Sequence, residues 1–171
     1  RWISLIALVL NIAWPCGAQD NLRVMVLPFE VNTLEDLAYL EKEIPKILSR
    51  NLTAEGAIMV AAPVGVVLKD LEAIRTIGVE NAADYVIWGS FTMIGQQFSL
   101  DVRLLDIFKG ETPAVFTAGG RGLENLPVKV AELADDIILD IFELVTIAEI
   151  TVEGIERIEA EEDLVAVQDS T

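Results

Sequence analysis

Tyr85-Val86-Ile87-Trp88-Gly89-Ser90-Phe91-Thr92-Met93-Ile94, then Gly95-Gln96, then Gln97-Phe98-Ser99-Leu100-Asp101-Val102-Arg103-Leu104: these residues have the pattern of two long strands joined by a tight turn. Phe98, Leu100, Val102 and Leu104 alternate with Ser99, Asp101 and Arg103, which is the period of a strand with one face in a core and one in water. The run before it is apolar throughout, and Gly95-Gln96 supplies the turn of a hairpin between the two. Trp88 beside Gly89 reads as core packing with a bulge.

Working outward, Asn81-Ala82-Ala83-Asp84 leads into the hairpin, and Lys109-Gly110 turns the chain toward a further strand at Ala114 to Ala118. Gly119-Gly120-Arg121-Gly122 reads as a loop. A last helix follows from about Leu126 to Leu144, with Leu126, Val130, Leu133, Ile137, Ile141 and Leu144 on one face. Glu132, Asp135, Asp136, Asp140 and Glu143 lie opposite. Upstream, Leu22 to Phe29 is a buried strand ended near Pro28. Asn32 or Thr33 caps a helix carrying Leu34, Leu37, Leu40, Ile44, Ile47 or Leu48, and Leu52. Pro45 kinks this helix or splits it near Glu43, and Glu55-Gly56 ends it. Ala57 to Val60 is a second strand, and Val67, Leu71 and Ile74 mark a second helix stopped by Gly78. The order β-α-β-α-β-β-β-α gives an α/β (α+β) fold, a mixed sheet packed against helices.

The first residues are of another kind. Arg1 precedes an apolar run from Trp2 to Ala13 that is too short to span a bilayer, Pro15 breaks it, and Cys16-Gly17-Ala18 supplies small residues before Gln19. This is the layout of a secretory signal peptide cut between Ala18 and Gln19, rather than a buried helix or a retained anchor. A lipid-acceptor cysteine would follow a small residue, and Cys16 follows Pro15. Cleavage removes the only Cys, so the exported chain has no disulfide or thiol chemistry. The expected organisation is a signal peptide over 1–18, one domain over 19–146 and a separate segment over 147–171.

Composition narrows the function. Among 171 residues, 28 Asp and Glu stand against 12 Lys and Arg, a net charge of −16, which argues against a nucleic-acid partner. No His is present, which removes Ser-His-Asp, Cys-His and His-ligated metal chemistry. A mean hydropathy of +0.47 calls for a real core. The glycines at 119, 120 and 122 lack the Lys-Ser/Thr of a phosphate loop. Asp136 and Asp140 share a helix face but cannot wrap a hard cation, so a solvated acidic face is the better reading. Nothing brings Asp101 and Asp106 to one cleft. The sequon Asn51-Leu52-Thr53 falls in a helix. No enzyme and no cofactor is expected.

Two resemblances add to this. Val24-Met25-Val26-Leu27-Pro28-Phe29, then Ala82-Ala83-Asp84-Tyr85-Val86-Ile87-Trp88-Gly89-Ser90, then Leu100-Asp101-Val102-Arg103-Leu104-Leu105-Asp106 together resemble the amino-terminal domain of TolB. Ile147-Ala148-Glu149-Ile150-Thr151-Val152-Glu153-Gly154-Ile155-Glu156-Arg157-Ile158-Glu159 looks like the opening β-α of a POTRA domain, though Ile155 stands where that family has Asn and the tail to Thr171 does not complete the module. The resemblance implies the periplasmic, outer-membrane-associated front part of a BamA-type factor. Its outer-membrane attachment would be a C-terminal barrel missing from this chain. Its partners would be envelope proteins, either unfolded outer-membrane proteins or assembly lipoproteins. The alternative is a free-standing TolB-like envelope adaptor. The implied mode is strand addition, with Ile150, Thr151 and Val152 as the partner-binding edge.

Overall fold

The structure, a computed structural model, describes residues 22–64, 70–109 and 112–142. The signal segment with Ala18 and Gln19, the residues Val67, Gly110 and Leu144, and the segment 147–171 with Ile150, Thr151 and Val152 lie outside them.

The fold is the expected α+β arrangement: a mixed six-stranded sheet packed against three helices. The elements are β1 (Arg23–Val26), β2 (Glu30–Asn32), α1 (Leu40–Ala54), β3 (Ile58–Val60), α2 (Leu71–Glu80), β4 (Tyr85–Ile94), β5 (Gln97–Asp106), β6 (Ala114–Arg121), a short 3-10 turn at Leu123–Asn125, and α3, described over 126–142. The sheet order is β3-β1-β4-β5-β6. The hairpin is as read, in continuous register from Tyr85↔Asp106 to Ile94↔Gln97. Gly95 takes φ +61, the left-handed value that a two-residue hairpin turn requires and glycine supplies.

One strand was not legible as such. β2 pairs in parallel with the outer half of β4, Val31 opposite Phe91, while β1 pairs in parallel with its inner half, Met25 opposite Val86. The two short strands therefore follow each other along one edge of β4. This displaces the start of α1 from Asn32 or Thr33 to Leu40. Thr33 Oγ1 accepts the Glu35 amide in a local turn at 3.1 Å, and Leu34, expected in the apolar stripe, is fully exposed. Pro45 neither splits nor ends the helix. Having no N–H, it leaves the carbonyl of Glu41 free, and the Phe29 amide donates to that oxygen at 3.2 Å. The proline thus ties α1 to the bend between β1 and β2.

Two helices lie on one face of the sheet. Leu40, Ile44, Leu48 and Leu52 of α1, and Leu126, Val130, Leu133, Ile137 and Ile141 of α3, pack against Val24, Val26, Ile87, Phe91, Leu100 and Val102. On the other face α2 sets Ile74 against Met25, Leu27, Val86, Trp88, Leu105 and Ile107. Asp70 caps it by accepting the Ala73 amide at 2.8 Å.

Four glycines differ from the sequence expectation. Gly78 does not stop α2; it is buried mid-helix, where a Cβ would meet the side chains of Ile107 and Val86. Gly89 makes no bulge, since it pairs with Val102 in an unbroken ladder. A Cβ there would lie 2.7 Å from the Phe29 ring. Gly119 and Gly120 are not loop residues but the end of β6, and the Phe98 ring fills the place of a Cβ on Gly120 at 2.6 Å. At Gly78, Gly89 and Gly120 a missing side chain admits a large neighbour.

Candidate functional site

The phase of the hairpin decides which groups β6 shows to the outside. In a two-residue hairpin the residues flanking the turn, Ile94 and Gln97, exchange both backbone hydrogen bonds, and every second pair does so thereafter. On β5 the odd-numbered residues therefore bond to β4 and the even-numbered ones to β6. Register then assigns Ala114, Phe116, Ala118 and Gly120 as the inward-bonded residues of β6, and Gly122 continues the series by donating to the Gln96 carbonyl at 2.8 Å. The N–H and C=O groups of Val115, Thr117 and Gly119 point the other way. Among the described residues no strand pairs with β6 on that side, and no hydrogen bond reaches those groups. All three residues are exposed, Val115 to 61%. Arg121 ends the row, its carbonyl accepting the Asn125 side-chain amide at 2.7 Å.

The faces beside this edge differ. Toward α1 and α3, Phe116 and Ala118 are half-buried and continue the core outward. On the other face α2 covers β1, the start of β4 and the end of β5 at Leu105, so Ser90, Thr92, Ser99, Asp101, Arg103, Thr117 and Arg121 form an uncovered polar surface. Arg103 stands between Trp88 and Val115, and Asp101 between Ser90 and Thr117.

The same phase separates the carboxylates. Asp101 lies on the uncovered face. Asp106 lies on the helix side, where its Oδ1 accepts the amides of Phe108 and Lys109 at 2.9 Å. Asp84 accepts the Arg23 amide at 2.7 Å and locks the start of the sheet. Tyr85 sits beside Asp106. Burial, above all, pushes its hydroxyl up to about 12, with the charges of Asp106 and Asp84, a hydrogen bond to Asp106 and the charge of Asp140 adding to it. Tyr85 keeps its proton at neutral pH, so it is not a base. Asp136 is exposed on α3, whereas Asp140 is half-buried. No group of three or more acidic or sulfur ligands suited to a metal occurs among the described residues. Among them, no helix is long and apolar enough to cross a membrane.

No protein-family model and no curated protein sequence matches the chain. Solved structures do resemble it. A PelC dodecamer from Paraburkholderia phytofirmans is 16% identical with a TM-score of 0.46, covering 69% of this chain and 86% of that one. Lipoprotein GNA1162 from Neisseria meningitidis is 17% identical at a TM-score of 0.46, over 68% and 96% of the two chains. The LpoB C-terminal domain from Salmonella enterica is 16% identical at 0.43, over 62% and 87%. At such identities and scores the likeness says nothing of activity or partner.

These findings correct the family expectation. The matches are PelC, LpoB and GNA1162 rather than a BamA-type factor or a POTRA repeat. TolB from Acinetobacter baumannii resembles the chain only at a TM-score of 0.44 and 13% identity, over 28% of its own length. The expected edge Ile150, Thr151, Val152 lies outside the described residues. The described sheet ends in β3, of three residues, and in β6, of eight, so β6 is the long edge, and it includes the glycines expected in a loop. The signal that would have found it was present: a two-residue turn sets the bonding phase of every later antiparallel strand.

Proposed function

We propose that this chain works in the cell envelope, in the periplasm, as a protein-binding module that makes and breaks no bonds of its own. Its binding element is the outer edge of β6, which an extended segment of another envelope protein completes as a further strand. The carrying observation is the row of unbonded backbone groups at Val115, Thr117 and Gly119 beside a half-buried apolar margin at Phe116 and Ala118. Export is supported by the pattern of residues 1–18, and protein rather than nucleic-acid partners by the net charge of −16.

The phase supplies the test. Thr117→Pro removes an outward N–H and leaves the β5–β6 ladder intact, whereas Ala118→Pro removes an inward one. A photo-crosslinking residue at Val115 should capture envelope polypeptides in cells, and Thr117→Pro should abolish capture while the melting temperature holds. The product should begin at Gln19. Capture unchanged by Thr117→Pro, or a folded cytosolic product retaining Arg1, would overturn the proposal.

A further inference from the structure

We infer that the β6 edge also pairs antiparallel with β6 of a second copy, about a two-fold axis at Ala118; this rests on the reading of β6 as a pairing edge. The outward-bonding residues all have odd numbers, so a symmetric pairing must match odd with odd. Centring on Ala118 matches Val115 with Arg121 and Thr117 with Gly119 of the second copy, and engages the whole outward row. With the Arg121 carbonyl of each copy held by Asn125, that arrangement forms roughly six new backbone hydrogen bonds.

The side chains agree with this register. On the helix side Phe116 falls opposite Gly120 of the second copy, a large residue against one with no side chain. There it enters the cross-strand row that already holds Phe98 over Gly120, where Phe98 stacks on Phe91 with ring centroids 5.8 Å apart. Ala118 meets its own counterpart, two small groups at the axis. On the other face Val115, Thr117, Gly119 and Arg121 bring no acidic side chain to the seam, in a chain whose net charge is −16. A seam of one strand pair buries less than the roughly 1,200–2,000 Å² of an ordinary stable interface. The dimer is therefore weak, and it strengthens with salt as the repulsion between two acidic chains is screened.

Cysteine placement reads the register directly. In full-length chain carrying Cys16→Ser, Ala118→Cys places two sulfur-bearing residues at a non-hydrogen-bonded pair about 4.5 Å apart at Cα, within disulfide range. Val115→Cys lies six residues from its counterpart along antiparallel strands, about 20 Å away, although its side chain is the more exposed. Under mild oxidation Ala118→Cys should dimerise about tenfold faster than Val115→Cys, because only the first is held at high effective concentration. Adding Thr117→Pro should remove that advantage. A Val115→Cys rate equal to or above that of Ala118→Cys, or a rate unaffected by Thr117→Pro, overturns the self-pairing. If Val115 still photo-captures envelope proteins in that case, the edge remains a binding element for other chains. If capture also survives Thr117→Pro, the edge reading itself fails.

Discussion

Gly89→Ala separates two opposed effects on stability. In an open strand position alanine would be the better residue by about 0.5–1 kcal/mol, because glycine loses more conformational freedom on folding. At position 89 the added Cβ meets the backbone carbonyl oxygen of Asp101 on β5 and lies 2.7 Å from Cε1 of Phe29. The carbonyl is one of the bonding groups of the Ser90↔Asp101 pair in the β4–β5 ladder, and can retreat only by weakening it. Overpacking costs about 1–3 kcal/mol, and a weakened ladder bond adds about 1 kcal/mol. The clash outweighs the entropy gain, leaving a net loss of about 1–3.5 kcal/mol, or roughly 10 °C in melting temperature at the middle of that range for a domain of this size. Circular-dichroism melts and urea titrations read this directly. Phe29→Leu in the same background should recover about 1 kcal/mol as coupling in a double-mutant cycle, the share due to the ring. A Gly89→Ala chain that melts at or above the parent temperature would refute the close approach of Phe29 and β5 at this glycine.

Other outcomes follow from the same geometry. Ile137→Ala, at a fully buried position on α3, should cost about 3 kcal/mol in urea unfolding, whereas Leu139→Ala, 67% exposed, should be near neutral. Tyr85 is raised to about 12 in the fold from its ordinary 10.0, so the unfolded chain loses this proton first. Stability is complete below pH 10 and falls between pH 10 and 12, by at most about 2–3 kcal/mol, and Tyr85→Phe should lack that fall in alkaline urea titrations. The Phe29 amide, bonded to the carbonyl that Pro45 leaves free, should exchange with deuterium as slowly as the Met25 amide in β1.

The parts of this fold that could be read from sequence are those with local causes. The β4–β5 hairpin has an alternating strand and a two-residue glycine turn. The C-terminal end of α1 before Gly56, with φ +98, and the apolar face of α3 have equally local signals. β2 has none: three residues, Glu30-Val31-Asn32, form a strand only because β4 runs long enough to offer its outer half. Its presence moved the start of α1, so Thr33 became a turn residue and not a cap. Gly78 and Gly120 misled for the opposite reason. Glycine marks a break in the absence of other information, but here each makes room for a side chain distant in sequence, Ile107 and Phe98. The open edge at β6 needed two facts together. The bonding phase was available from Gly95-Gln96, but the place of β6 at the end of the sheet order depends on where β1 and β3 insert.

The parallel neighbours of β4 carry a consequence for the birth of the molecule. Val24 meets Tyr85 and Val31 meets Phe91, so both early strands wait for about sixty further residues before β4 exists, although β1 meets β3 after about thirty-five, Arg23 opposite Ile58. At 5–20 residues per second of synthesis, that is roughly 3–12 s in which Val24, Met25 and Val26 lack their β4 neighbours. The β4-β5-β6 meander, by contrast, closes on itself through near neighbours and needs nothing made earlier. The last-made half of the sheet is thus the template, and the first-made half is a guest whose place is completed last.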